Sequence, residues 1–201
     1  MSYSIIAIER EYASGGNEIA EKLAAKLGIP CYGHEILERA SEKLQLPIER
    51  LTDAEENITG SFLYSIAAFS SAASGGSAEY LSLEQSLAFT EADIIRSLAY
   101  EPCVIVGRRA CALLKDRTDT LRVLIYADKG ARIDRAVEFY DVSPQQADAV
   151  LRRQDKRRAN YLKVTTNTEW KDPDIYHIFL NSCRLGIDRV ADILHMAAKS
   201  S

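Results

Sequence analysis

Apolar residues fall along this chain in two rhythms. Short, nearly unbroken runs at 4–9 (SIIAIE), 103–106 (CVIV) and 121–126 (LRVLIY) predict buried strands, with a brief extended piece at 29–32 and a last strand at 177–180. Between them the apolar positions return every third or fourth residue. Ile19, Ala20, Leu23, Ala24 and Leu27 make one such stripe over 17–27, and Gly28 stands where a helix closes in a left-handed residue. Ile187, Val190, Ile193, Leu194 and Ala197 make another over 186–198. Further helices are predicted over 34–46 (stopped before Pro47), 83–100, 109–115 and 129–140, and from Ser143 to about Tyr161. The last of these opens on Ser143-Pro144-Gln145-Gln146, a capping serine, a proline suited to the first helical position and a glutamine able to complete a capping box.

Short strands alternating with helices predict an α/β domain with a mainly parallel sheet. In such sheets ligands bind beyond the carboxyl ends of the strands, so chemistry is expected in the turns after Glu9, Val106 and Leu180. The stretch 57–82 differs in character. It is rich in Ser, Ala and Gly but holds Phe62, Leu63, Ile66 and Phe69, and is expected to be a mobile segment that docks part of the time.

Composition narrows the function classes. The chain has 201 residues, 47% apolar and 27% charged, which excludes a disordered or collagen-like polymer and suits one domain or one domain with a small lid. Its 25 basic residues against 29 acidic ones give a net charge of −4, so a nucleic-acid partner is not expected. No window approaches the uninterrupted apolar length of a membrane span, and the first strand begins too early for a signal peptide, so a soluble cytoplasmic protein is expected, without a membrane partner. Four cysteines and three histidines are scattered without ligand spacing, so no zinc site is expected; Cys103 and Cys111 fall in apolar stripes as small buried residues.

Strand, Arg10-Glu11-Tyr12-Ala13-Ser14-Gly15-Gly16, helix is the context of a phosphate-binding loop. Amides exposed at a glycine turn and a helix start favour an anion, and glycine lets backbone approach a phosphate closely. Laid on G-x-x-x-x-G-K-[ST], Arg10 takes the first glycine position, Gly15 the second, and Gly16 stands where the lysine belongs. A plain tight turn between strand and helix is the alternative reading.

The string IAIEREYASGGNEIAEKLAAKLGIPCY (6–32) resembles the opening of the cytidylate kinase-like family, a branch of the P-loop nucleoside monophosphate kinases, with its I-S-R-E-[YF]-G-S-G-G-x-E-I-A stretch. SFLYS (61–65), PCVIVGRRA (102–110), LRVLIYA (121–127), DKRRANY (155–161), WKDP (170–173) and NSCRLGIDRV (181–190) continue the resemblance in order along the chain. It implies a five-stranded parallel sheet flanked by helices, in a single P-loop kinase-like domain over 1–201 with a substrate-binding insertion at about 33–100 and a lid at about 143–172. It also implies transfer of a phosphoryl group from ATP–Mg²⁺, with catalysis resting on positioning and positive charge.

Residue by residue, the resemblance assigns donor binding to Ser14, Gly15, Gly16, Asn17 and Glu18, with Arg153 of the lid. Arg10, Arg157 and Arg158 are the candidate catalytic cations, standing in for the missing lysine. Arg39, Arg108, Arg152 and Asp155 are assigned to the acceptor; Arg108 matches the Gly-Arg that grips the acceptor phosphate, and Asp155 with Arg158 matches a lid D-x-x-R. Glu18 is the candidate metal ligand, directly or through water. Each has a plainer alternative: a solvated helix face for Arg39 and the 152–163 cations, a helix-starting surface residue for Arg108, a favourable first-turn carboxylate for Glu18. Gly33 and Arg109 replace acidic residues of the family pattern, and Asn17 a frequent arginine. The expectation is therefore an ATP-dependent phosphotransferase acting on a small nucleotide such as CMP or dCMP, the alternative a non-catalytic nucleotide-binding relative acting as sensor or partner. Self-association is left open.

Overall fold

The computed structural model describes residues 3–57 and 82–199. The SFLYS match and most of the 57–82 stretch lie outside those residues. The first strand, β1 (Ile5–Arg10), becomes the middle of the sheet. It lies between β3 (Cys103–Val106) and β4 (Thr120–Tyr126), with β2 (Cys31–Tyr32) and β5 (Ile178–Asn181) at the edges, and every pairing is parallel. This is the five-stranded parallel sheet expected, in the order β2-β3-β1-β4-β5.

Alternation along β1 divides the core in two. Ile5 and Ala7 point into one cluster with Ile36, Leu37, Leu51, Ile95 and Trp170; Ile6 and Ile8 point into the other with Ile19, Leu23, Val190 and Leu194. The second cluster is built by α1 (Gly16–Leu27) against α9 (Ile187–Lys199), the two stripes predicted from periodicity. The first is covered by α2 (Glu35–Leu44), α3 (Ile48–Asn57), α4 (Leu83–Leu98) and the single turn α5 (Ala110–Leu113). A side chain such as Ile19 or Leu37, removed from water, contributes roughly 1.5–3 kcal/mol, so both faces of the sheet are firmly held.

The remaining elements are α6 (Lys129–Phe139), α7 (Pro144–Thr166), a 3₁₀ turn at Pro173–Ile175 and the single turn α8 (Ser182–Leu185). Among the described residues no helix is long and apolar enough to cross a membrane.

Local departures from the sequence reading have local causes. Helix α3 was not predicted, because IERLTDAEEN shows a thin apolar stripe; Leu51 and Ala54 nevertheless bury fully against α4. Helix α7 runs beyond residue 161 because Leu162 and Val164 are also buried, and it stops at Asn167 in the left-handed region, φ 55°. The capping box at Ser143 does not form: its side chain makes no cap bond, and its carbonyl receives the Gln146 amide instead. The box forms at Ser82 and Gln85, where hydroxyl and amide exchange bonds reciprocally. Helix α5 is shorter than predicted because Arg108 and Arg109 both take positive φ before it.

Parallel register brings all strand ends to one edge. Ile8 faces Val106, Arg10 faces Ile125 and Tyr126 faces Asn181. The turns 11–15 and 107–109 and the start of α8 are therefore neighbours, although Ser14 and Ser182 are 168 positions apart in sequence.

Candidate active site

The turn from β1 to α1 is fixed at both ends by groups from elsewhere. The Glu11 amide donates to the Ile125 carbonyl (2.9 Å), and Ser182 Oγ on α8 donates to the Ser14 carbonyl (2.6 Å). The Tyr12 amide donates to Asp155 Oδ1 of α7 (2.8 Å), so the sequence-selected Asp155 does reach this loop. Arg132 of α6, buried, grips the same turn: Nε donates to the Tyr12 carbonyl (2.7 Å), Nη1 to Glu11 Oε2 (2.9 Å) and Nη2 to Asp155. Lys171 Nζ donates to the other Glu11 oxygen at 2.6 Å. Arg132, Glu11 and Lys171 were missed from sequence, where they look like ordinary surface charges.

Within this frame the amides of Gly15, Gly16 and Asn17 find no hydrogen-bond acceptor among the described residues. They point from the start of a 12-residue helix, the arrangement that attracts an anion. The glycines are also required by the protein's own packing. Gly15 has φ +75°, and a Cβ there would lie 2.4 Å from Ile187 Cδ1; a Cβ on Gly16 would lie 2.5 Å from Arg10 Cβ. Ser14 turns its hydroxyl inward to the Glu11 carbonyl (2.9 Å), bracing the loop.

Beside these amides opens a cleft of about 510 Å³, within the range of small-molecule sites. Arg10, Arg108, Arg157 and Arg158 line it, with Glu21, Glu35 and Glu55. The Arg10 side chain lies across Gly16, donates Nε to Asn17 Oδ1 (3.0 Å) and carries Nη1 over Gly107, where a Cβ would stand only 2.0 Å from it. Arg158 donates to the Arg10 carbonyl (2.8 Å) and sits over the Tyr12 ring at 5.8 Å. Burial, and then the Arg158 charge, bring the Arg10 guanidinium down to about 9; burial likewise lowers Arg158. Cations so placed have lost water that nearby carboxylates do not fully replace. A phosphate in the cleft would supply the remaining negative charge.

The far wall is different. Arg108 is mostly buried (14% of its side chain is exposed), with Nε donating to the Gly33 carbonyl (3.2 Å) and Nη1 shared by Glu91 Oε1 (2.5 Å) and Glu55 Oε1. It is not the solvated helix-starting residue of the plainer reading. Glu91 also accepts from Arg109 Nη2 (3.3 Å) and the Tyr161 hydroxyl. Arg109, 3% exposed, reaches inward to the Ala88 carbonyl (2.8 Å) and stacks over Tyr161 at 4.8 Å, so the residue that departs from the family's acidic position holds the wall together. Although burial opposes it, Arg108 and Arg109 keep the Glu91 carboxyl below its ordinary range, whereas burial pushes Glu55 up.

Other sequence-selected residues stand outside the cleft. Arg39 is exposed over the Tyr32 ring at 5.3 Å, Arg152 pairs with Asp148 at 3.0 Å, and Arg153 is exposed on the same helix. All three lie on exposed helix faces. Glu18 is held by Arg135 Nη2 at 2.6 Å and lies 3.7 Å from Lys22. Among the described residues no group of three or more His, Cys, Asp or Glu is arranged for a metal ion.

Comparison with known proteins bears on this geometry. The profile of the cytidylate kinase-like family matches residues 5–184. No curated protein matches the chain. Among solved structures, an uncharacterized protein from Eubacterium ventriosum is similar at 25% identity, covering 98% of this chain and 99% of its own, with a TM-score of 0.72. A shikimate kinase from Bacteroides thetaiotaomicron (13% identity, 98% of each chain, TM-score 0.57) and one from Acinetobacter baumannii in complex with shikimate (13%, 97% and 92%, TM-score 0.51) share the fold.

Proposed function

The chain belongs to the cytidylate kinase-like family, and from that premise we propose that it is an ATP-dependent phosphotransferase acting on a small acceptor such as CMP or dCMP. Family and fold are those of kinases, and so support phosphoryl transfer generally. The observation that supports phosphate binding here is the meeting of unpaired amides at Gly15, Gly16 and Asn17 with the guanidinium groups of Arg10 and Arg158 at the cleft.

The amides would cradle the donor phosphates. Arg10 and Arg158 would supply the charge that the lysine provides in an intact P-loop, with Arg157 beside them in the cleft. Phosphoryl transfer asks little covalent chemistry of a protein, so fixed positive charge around the transferring oxygens is the main device. Bound Mg²⁺ would neutralise developing charge on the phosphates. Glu18 suits it poorly as a ligand, since Arg135 already holds that carboxylate; phosphate oxygens and water are the fitting partners. The acceptor would lie toward Gly33 and Arg108.

The test is ADP release with ATP, Mg²⁺ and a panel of nucleoside monophosphates. Turnover should fall by about 10²–10³-fold in Arg158→Met, the scale of losing one transition-state donor. Nucleotide-dependent stabilisation without turnover for any acceptor would establish the non-catalytic alternative, for which saturation at 100 times Kd adds about 2.7 kcal/mol. Absence of any nucleotide effect refutes both.

A further inference from the structure

We infer that Glu55 sets acceptor affinity by occupying Arg108 as an internal stand-in for the acceptor's anionic group, which must displace it to bind. The inference rests on the cleft being the acceptor site, as proposed above.

Arg108 is the cleft-lining guanidinium of the far wall, yet its Nη1 is already taken by two carboxylates. The two are not equivalent. Glu91 is fully buried and accepts from Arg108, Arg109 and Tyr161, so removing it would strand the Tyr161 hydroxyl and take the counter-charge from two guanidinium groups. Glu55 has 22% of its side chain exposed and lines the cleft, where it is held by Arg108 and by the neighbouring Glu91 carboxyl. It is therefore the partner that a ligand entering from the cleft can replace.

Glu55 gains little from its own helix. It sits in the last turn of α3, a turn with no basic residue, where the helix dipole disfavours a carboxylate. Burial and the adjacent Glu91 carboxylate also favour the protonated form of Glu55, which weakens its hold on Arg108. Replacing Glu55 by the phosphate of a nucleoside monophosphate gives Arg108 a full anion in place of a weakly held carboxyl group and leaves the Glu91–Arg109–Tyr161 network in place. Acceptors without an anionic group would have nothing to offer in this exchange.

The experiment is calorimetric titration of CMP, and separately of inorganic phosphate, into wild-type protein, Glu55→Gln, Glu55→Leu and Arg108→Met, with ATP titrated into each. Both Glu55 variants are expected to bind CMP about tenfold or more tightly, since a charge-assisted bond need no longer be broken, with ATP affinity unchanged. The gain should vanish when either is combined with Arg108→Met. Weaker CMP binding in Glu55→Gln would make Glu55 a recognition group and overturn the inference, as would unchanged binding. Failure of the Glu55 variants to bind CMP or phosphate while ATP still binds also overturns it and leaves the donor-site reading standing. Failure of ATP to bind wild-type protein overturns the proposed function instead.

Discussion

Gly107→Ala tests the central geometry of the cleft, the passage of the Arg10 side chain over the β3–α5 turn. A Cβ at residue 107 would stand 2.0 Å from Arg10 Nη1 and 3.0 Å from its Cζ, and the backbone there has φ +73°. Holding alanine in the left-handed region costs about 1–2 kcal/mol. Arg10 must also leave, forfeiting its bond to Asn17 Oδ1, a further ~1 kcal/mol. The sum, roughly 2–3 kcal/mol, corresponds to a fall in Tm of about 5–10 °C for a chain of this length. In an Arg10→Ala background the clash disappears and only the backbone cost of about 1–2 kcal/mol should remain. Urea unfolding of the four proteins in this cycle measures the coupling, and ATP titration of Gly107→Ala should show weakened binding. Equal cost of Gly107→Ala in both backgrounds would refute the placement of Arg10.

Two further outcomes concern pH. Arg10 has a folded value near 9, below its ordinary one, so above pH 9 the unfolded chain holds the extra proton and the Arg10 contribution to stability rises with pH. ATP affinity should run the other way, falling as pH passes about 9; an affinity flat to pH 10, measured by calorimetry, would exclude Arg10 from the donor site. Glu9 is buried beneath the sheet end, where burial raises its carboxyl although Arg10, Arg158 and Trp170 beside it oppose the shift. Its folded state favours the proton, so its contribution to stability is lost as pH rises through the raised value. Glu9→Gln should then stabilise by about 1–3 kcal/mol in urea unfolding at the alkaline end and by less in acid; a gain independent of pH would count against this account.

Legibility in the sequence followed the range of the interaction. Strands β1, β3 and β4 were readable because both faces are buried, and α1 and α9 because their stripes repeat at helical spacing. Gly15 and Gly16 were readable as special, although the reasons include Ile187 and Arg10 packing that no motif conveys. The charged residues were the hard part. Arg10, Arg108, Arg157 and Arg158 reach the cleft, whereas Arg39, Arg152 and Arg153 face outward, and nothing in local spacing separates the two groups. Glu11, Glu91 and Arg132 escaped notice for the same reason.

Sequence alone determined the class of fold, the parallel sheet and the location of a glycine turn at a strand end, because each depends on patterns spanning a few neighbouring residues. Only tertiary structure decided which cations are buried, which carboxylates meet them and which amides stay unpaired. Those outcomes depend on groups as distant in sequence as Ser14 and Ser182, or Glu55 and Arg108, brought together by the register of the sheet and the packing of helices on it. A side chain's charge is written in the sequence; its counter-charge is supplied by the fold.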